Sequence, residues 1–276
     1  MEPAQLDRPA FADVDRMPAD LHARVFAMLD AMGRHPEIRR VRQVARDALR
    51  PAPGQRLLDA GSGTGDVARQ LAAAVGATGE VIDVDYSAVF VATASRNETN
   101  ANVTYAHGDV ARLDLPADSV DGVWCERVLQ HVADPDAAIA ELIRVTRPGG
   151  RVCLIDTDWS SLAFDGMPAD LTGEFLTTAA ERFTAFAGTT GRTLRRRLVA
   201  AGLDDIEATP VTGFFGDPVT AAVVLPMVSP DVPEAAGMIP AELRERWFAE
   251  VAAAGERGDF LAALTIWVVA GTVPST

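Results

Sequence analysis

Between Arg56 and Asp156 the chain alternates short apolar runs with stretches whose apolar residues return every three or four positions. The short runs at 56–60, 80–84, 103–107, 120–125 and 151–156 predict buried strands, and the periodic stretches at 66–75, 87–96 and 135–146 predict helices. Alternation of this kind with short connections predicts a parallel sheet joined by right-handed crossovers. Asp134-Pro135 suits a helix start, an N-cap followed by proline at the first helical position. Upstream, 17–32 and 37–50 read as two amphipathic helices, the second ended by Pro51-Ala52-Pro53-Gly54. After Trp159 the rhythm changes. Helices are predicted at 169–187 and 191–201, and strands at 206–212 and 260–270. Residues 214–259 are too long for a hairpin loop; they carry five prolines and a further predicted helix at 241–255.

The sharpest chemical signal lies where the first strand turns into the first helix of the alternating region, Asp59-Ala60-Gly61-Ser62-Gly63-Thr64-Gly65-Asp66. Glycines let a ligand reach the backbone, and the helix beyond presents free N–H groups and a partial positive charge. Asp85 ends the second strand, where an acid can accept hydrogen bonds from a ribose diol. A dinucleotide fingerprint would carry its third glycine at position 66; here Asp66 stands there, and the glycine falls one place earlier at Gly65. Asp66 would repel a pyrophosphate, whereas Asp59 suits a cationic amino group. A ligand with a ribose, an ammonium and no phosphate fits S-adenosylmethionine (SAM).

With this Asp-x-Gly-x-Gly-x-Gly run the chain resembles the class I SAM-dependent methyltransferases, and the resemblance covers roughly residues 40 to 160. Val81 to Ser87 is similar to that family's second motif, with Asp85 in the ribose position and Tyr86 beside it. Gly108-Asp109-Val110 resembles the adenine loop, Asp109 taking the exocyclic amine. Asp121 to His131 resembles the fourth strand and active-site loop, and Arg147-Pro148-Gly149-Gly150-Arg151 the turn into the fifth strand. Asp156-Thr157-Asp158-Trp159 is similar to a segment after strand five in a bacterial subgroup of UbiE-like small-molecule methyltransferases.

The resemblance implies a Rossmann-like α/β fold: a seven-stranded, mostly parallel sheet with an antiparallel last strand, N-terminal helices and a C-terminal insertion forming a lid. Strands 206–212 and 260–270 would then form an antiparallel hairpin at one sheet edge. The expected organisation is an N-terminal helical lid at 1–50, a SAM-binding core at 51–158, and lid helices with the remaining strands at 159–276, including the insertion 214–259. The implied cofactor contacts are Asp59, Gly61, Ser62, Gly63, Asp85, Tyr86, Asp109, Val110 and Glu126.

Composition narrows the partners. A net charge of −14 argues against binding a nucleic-acid backbone, which needs Lys and Arg to neutralise phosphates. All 25 basic residues are Arg, a GC-rich coding signature that points to a bacterial source and, by association, to natural-product biosynthesis. Cys125 and Cys153 lie in apolar runs and read as buried free thiols of a reducing cytosol. His22, His35, His107 and His131 show no metal-ligand spacing, so no metal is expected. Met1 to Asp20 lacks the apolar core of a signal peptide, and no apolar run approaches the roughly 20 residues of a membrane span. The expectation is a cytoplasmic enzyme with a small-molecule acceptor and no nucleic-acid or membrane partner; a homodimer stays open.

A sulfonium methyl is already activated, so alignment with the nucleophile can supply about 7–11 kcal/mol, against about 3–5 kcal/mol from a general base. His131 is the candidate base, and the alternative is that it caps or packs the short helix 127–132. Asp158 either orients His131 or the acceptor, or is a solvated loop acid. Arg127 either binds an acidic acceptor or pairs with Asp156 or Asp158. Trp159, Phe164, Phe214, Phe215 and Trp247 are candidate acceptor-pocket aromatics, with plain core as the alternative. The run Arg192, Arg195, Arg196 and Arg197 reads as a solvated face. The leading reading is methyl transfer to a small molecule, with oxygen favoured over nitrogen or carbon. A SAM-binding cyclase, decarboxylase or pericyclase is the alternative, and a nicotinamide oxidoreductase a more distant one.

Overall fold

Seven strands make one sheet in the order β3-β2-β1-β4-β5-β7-β6. They are β1 (Arg56–Ala60), β2 (Glu80–Asp85), β3 (Val103–His107), β4 (Val120–Glu126), β5 (Thr146–Asp165), β6 (Asp204–Phe215) and β7 (Leu261–Thr272). The computed structural model describes residues 14–96, 102–185, 188–231 and 239–275. The first five strands pair in parallel, and β7 runs antiparallel to both of its neighbours. Both the parallel core and the expected edge hairpin are present.

Because side chains alternate across a strand, each strand feeds two cores. Leu57, Val81, Trp124, Cys153 and Ile155 face helices α2 (Pro36–Leu49) and α3 (Asp66–Val75). Leu58, Ile82, Val123, Cys125 and Leu154 face α5 (Pro135–Val145) and α7 (Thr190–Ala200). The Asp134 carboxylate accepts the Ala137 N–H at 3.0 Å and starts α5 at Pro135. The N-terminal helix α1 (Ala19–Arg34) packs separately, with Val25, Phe26 and Leu29 against Val14 and with Phe90 of α4 (Ala88–Arg96). The first 13 residues of the expected N-terminal element, and 186–187 at the end of helix 169–187, lie outside the described residues.

The fifth strand is longer than its apolar run of 151–156, because β7 stays paired with it as far as Asp165 opposite Leu261. Asp156-Thr157-Asp158-Trp159 therefore lies inside β5 rather than after it. The register breaks between Asp158 and Ala163, where Ser161 donates to the Asp158 carbonyl and accepts the Thr265 N–H.

The aromatics of the insertion region are packing groups. Trp247 of α9 (Arg244–Arg257) has ring centroids 4.2 Å from Phe175 on α6 (Ala169–Ala185) and 5.2 Å from Phe164 on β5. Its indole N–H donates to the Met227 carbonyl at 2.7 Å. Phe215 is buried against His35, whereas Phe214 is exposed. Core packing, not an acceptor pocket, thus accounts for Phe164, Phe215 and Trp247. Trp247→Ala should cost about 3–5 kcal/mol in a denaturant titration. Its affinity for S-adenosylhomocysteine should stay unchanged; a loss would tie Trp247 to the binding site instead.

Candidate active site

The carboxyl ends of β1, β2 and β4 converge on the glycine loop. Gly61, Gly63 and Gly65 have φ of 77°, 58° and 73°, the left-handed region that side chains rarely adopt. A methyl group on Gly61 would also drive into Val128 of the loop after β4. The Gly61 N–H donates to the Val84 carbonyl at 2.7 Å, so the loop hangs on β2. No side chain caps α3 at Gly65, which leaves its first N–H groups facing the loop. Asp85 organises the opposite wall: its carboxylate accepts the Gly63 N–H at 2.8 Å and the Ser87 N–H at 2.8 Å. Burial raises its pKa despite those two donors. Ser62 donates to Asp83, which stands opposite Asp59 in the β1–β2 register.

Asp59, Asp83 and Asp85 are all buried, and Glu126 adds a fourth carboxylate at the end of β4. Burial, followed by the charges of Asp83 and Glu126, lifts the Asp59 pKa well above the ordinary range. Asp59 Oδ2 is buried and makes no hydrogen bond among the described residues. The balancing cation is Arg42 of α2, which donates to Glu126 at 2.9 Å and to Asp66 at 2.5 Å. Burial opposes its charge, but Glu126 and Asp66 outweigh burial and hold the guanidinium pKa above its usual value. Sequence reasoning passed over Arg42. A signal was present, since Arg42 shares a helical face with buried Ile38, Ala45 and Leu49.

The loop after β4 carries the reactive-side candidates. Arg127 has φ of 55° and lies against Glu126 at 3.5 Å, not against Asp156 or Asp158; it also touches Met32 of α1. His131 ends a short 3-10 helix, Leu129–His131, where burial and then the charge of Arg127 push its pKa down to about 4. The ring is therefore neutral at pH 7. Asp156 anchors this loop by accepting the Gln130 N–H at 3.1 Å, and burial pushes its pKa up to about 7. Trp159 donates to Gln130 at 3.0 Å, a second tie between β5 and the loop.

Two expectations about charge change here. Asp158 is buried and paired with Arg192 at 2.6 Å, so it is not a solvated loop acid. Arg192 stays on the solvated face while pairing with Asp158, and Arg197 is largely covered as it pairs with Asp136 of α5. Asp66 faces Arg42 rather than open space, which mutes the repulsion assigned to it. On the adenine side, Tyr86 is exposed and tilts against His107 at 6.2 Å. Asp109 accepts the Ala111 N–H at 2.8 Å, and Val110 is buried beside it.

A methyltransferase-domain family model matches residues 58–154. The chain is 35% identical over 261 residues to an uncharacterized 37.1 kDa protein of transposon TN4556 from Streptomyces fradiae, across 91% of this chain and 74% of that one. It is 30% identical over 178 residues to the ubiquinone/menaquinone biosynthesis C-methyltransferase UbiE of Pseudomonas aeruginosa, across 58% of this chain and 69% of that one. The chain belongs to the class I SAM-dependent methyltransferases. A phosphoethanolamine N-methyltransferase 2 of Haemonchus contortus, solved with S-adenosylhomocysteine, shares the fold at a TM-score of 0.53 and 21% identity, across 83% of this chain and 51% of that one.

SAM is the cofactor of this methyltransferase, and the residues fit it. The cradle at Gly61 admits no side chain, and the Asp59 carboxylate offers a buried oxygen that an ammonium could satisfy. Asp85→Ala should weaken S-adenosylhomocysteine binding by about 1–3 kcal/mol in calorimetric titration; an unchanged affinity would remove Asp85 from the site.

The raised Asp156 pKa also has a pH signature. A folded-state pKa near 7 against an ordinary value of 3.8 means the folded state holds this proton more tightly, so stability falls as pH rises between those values. Asp156→Asn lacks that loss, while Asp59 and Asp85 titrate in both proteins and cancel. The stability difference should move in favour of the Asn variant by up to about 4 kcal/mol across this range. Parallel denaturation profiles at pH 5 and pH 8 would contradict a buried, titrating Asp156.

Proposed function

We propose that this methyltransferase moves the SAM methyl group onto a small-molecule acceptor, with oxygen as the favoured nucleophile, in bacterial natural-product biosynthesis in the cytoplasm. The observation that carries the small-molecule reading is the enclosure of the glycine loop by the N-terminal segment. A methyl built on Gly63 would lie 3.8 Å from Leu29 of α1, and Met32 of the same helix touches Arg127. Asp15 accepts from Ser87 and from the Ala88 N–H at 3.0 Å, tying the start of this segment to α4. A cleft enclosed in this way suits a small acceptor better than a duplex or a protein surface, and a net charge of −14 further disfavours nucleic acid.

Bound SAM supplies an activated methyl group; the chain's own residues supply position. Asp85 and the glycine loop orient the ribose, and Asp59, Glu126 and Arg42 set the charge around the amino-acid end. Helix α1, with α6 and the described parts of the insertion at 216–231 and 239–257, acts as the lid over the acceptor. In this reading His131, neutral at pH 7, takes a hydrogen bond from an acceptor hydroxyl, with Arg127 beside it and Asp158 held by Arg192. A base whose pKa is about 4 is weak, so alignment carries most of the rate.

The test is incubation with methyl-labelled SAM and panels of phenols, sugars, amines and quinone-like rings, scored by label in product. Labelled ether should form from at least one hydroxylated class, and His131→Ala should lower turnover about 10²-fold with S-adenosylhomocysteine affinity unchanged. Substituting S-adenosylhomocysteine for SAM should stop the reaction. A substrate still consumed under that condition would identify a cyclase or pericyclase, and labelled amine or carbon products would move the transfer off oxygen.

A further inference from the structure

Between the end of α1, α2 and the first turns of α3 lies a cavity of about 270 Å³ lined by Gly33, Arg34, Arg39, Arg42, Arg46, Asp66 and Gln70. At ~30 Å³ per water this is room for about nine waters, more than a bare tetrahedral anion needs. Arg39, Arg42 and Arg46 follow one another at i, i+3 and i+7, so one face of α2 presents all three to the groove. Two of them have partners one turn apart on α3: Arg42 pairs with Asp66 at 2.5 Å, and Arg46 donates to Gln70 at 2.7 Å. Arg39, a turn earlier, is exposed, and its side chain makes no ion pair or hydrogen bond among the described residues. Of the four guanidinium groups bordering the groove, Arg34 pairs with Asp30 and Arg42 with Asp66 and Glu126, whereas Arg39 and Arg46 have no carboxylate partner among the described residues.

Two guanidinium charges on one face of α2, Arg39 and Arg46, are thus left without a carboxylate among the described residues. Like charges gathered in a concave site repel one another unless an anion neutralises them. Guanidinium groups are planar forks suited to bidentate contact with phosphate oxygens.

We propose that the α2–α3 groove is a binding site for the phosphate group of a soluble phosphate monoester, held by Arg39 and Arg46 with Arg34 and Gln70 at the rim. The groove adjoins the cofactor cradle at Asp66 and Arg42 and extends away from it, with Gln70 one turn, about 6 Å, along α3 from the loop end. The two sites thus share Arg42, whose other donor holds Glu126. An anion drawing Arg42 away from Asp66 changes the field at Glu126, so occupancy of the groove and of the cofactor site are coupled reciprocally.

Equilibrium dialysis of labelled inorganic phosphate against the full chain tests this, alone and with saturating S-adenosylhomocysteine, at constant ionic strength set by chloride. The expected result is saturable one-to-one binding that persists with S-adenosylhomocysteine bound. Arg39→Ala and Arg46→Ala should each weaken it about tenfold or more. Arg196→Ala, on the distant exposed face of α7, should leave it unchanged. The Arg39 side chain makes no ion pair or hydrogen bond among the described residues, so its truncation should leave folding intact, and an unchanged melting temperature checks this.

Three results would overturn the proposal. Binding that never saturates would leave only a diffuse ion atmosphere. Binding abolished by S-adenosylhomocysteine would place phosphate on the cofactor's own subsite. Binding indifferent to both substitutions would place it elsewhere on the molecule. None of these outcomes bears on methyl transfer, which is read independently by label in product.

Discussion

Arg42 stands between Glu126 at the end of β4 and Asp66 at the start of α3, with 9% of its side chain exposed. Three more acids, Asp59, Asp83 and Asp85, end or line the neighbouring strands and are buried as well. Such a group of carboxylates is tolerable only if some stay protonated or a cation is held among them. Both remedies are in use: Asp59 keeps its proton to unusually high pH, and Glu126 is met by Arg42. The arrangement also places α2. A helix that must deliver one guanidinium to two carboxylates on different elements has little freedom to slide, so the electrostatics of the cradle and the position of the N-terminal helices are one problem.

The same logic extends to α1. Gly33 packs so closely on the Arg42–Asp66 pair that a methyl there would sit 2.8 Å from the Asp66 carboxylate. A small residue at that point lets the end of α1 reach the pair, and from there Met32 reaches Arg127 and Leu29 nears Gly63. At the other end of the segment Asp15 caps α4 beside Ser87, whose N–H is already held by Asp85. The first helix is thus tied at both ends to residues that also build the cradle. Movement of this helix and occupancy of the cradle would be coupled through those shared residues rather than through a hinge.

What was legible in the chain was what is local. The glycine loop, Asp85 and the Asp134 cap each act within a few residues of themselves, and the parallel sheet follows from the alternation of periods. What escaped depends on contacts between distant positions. Arg42 meets Glu126 across 84 residues, and it is one of six arginines between Arg34 and Arg50. Only its place on the apolar face distinguishes it. Asp158 and Arg192, 34 residues apart, looked like two solvated charges because neither has a local partner. The true length of β5 was hidden for the same reason: residues beyond 156 are strand because β7 pairs with them, and their own pattern does not require it.

Burial on the acceptor side has a chemical direction. Around the loop after β4 it suppresses charge of both signs, holding His131 unprotonated and Asp156 protonated to near neutrality. A low-dielectric site of this kind favours steps that reduce net charge separation and penalises steps that create it. Transfer from a sulfonium to an anionic oxygen destroys a positive and a negative charge together, while transfer to a neutral amine only relocates the positive charge. Transfer to a neutral hydroxyl whose proton passes to His131 likewise only relocates the positive charge, and onto a ring whose protonation this burial opposes. Alignment of the methyl group rather than proton transfer therefore has to carry the rate.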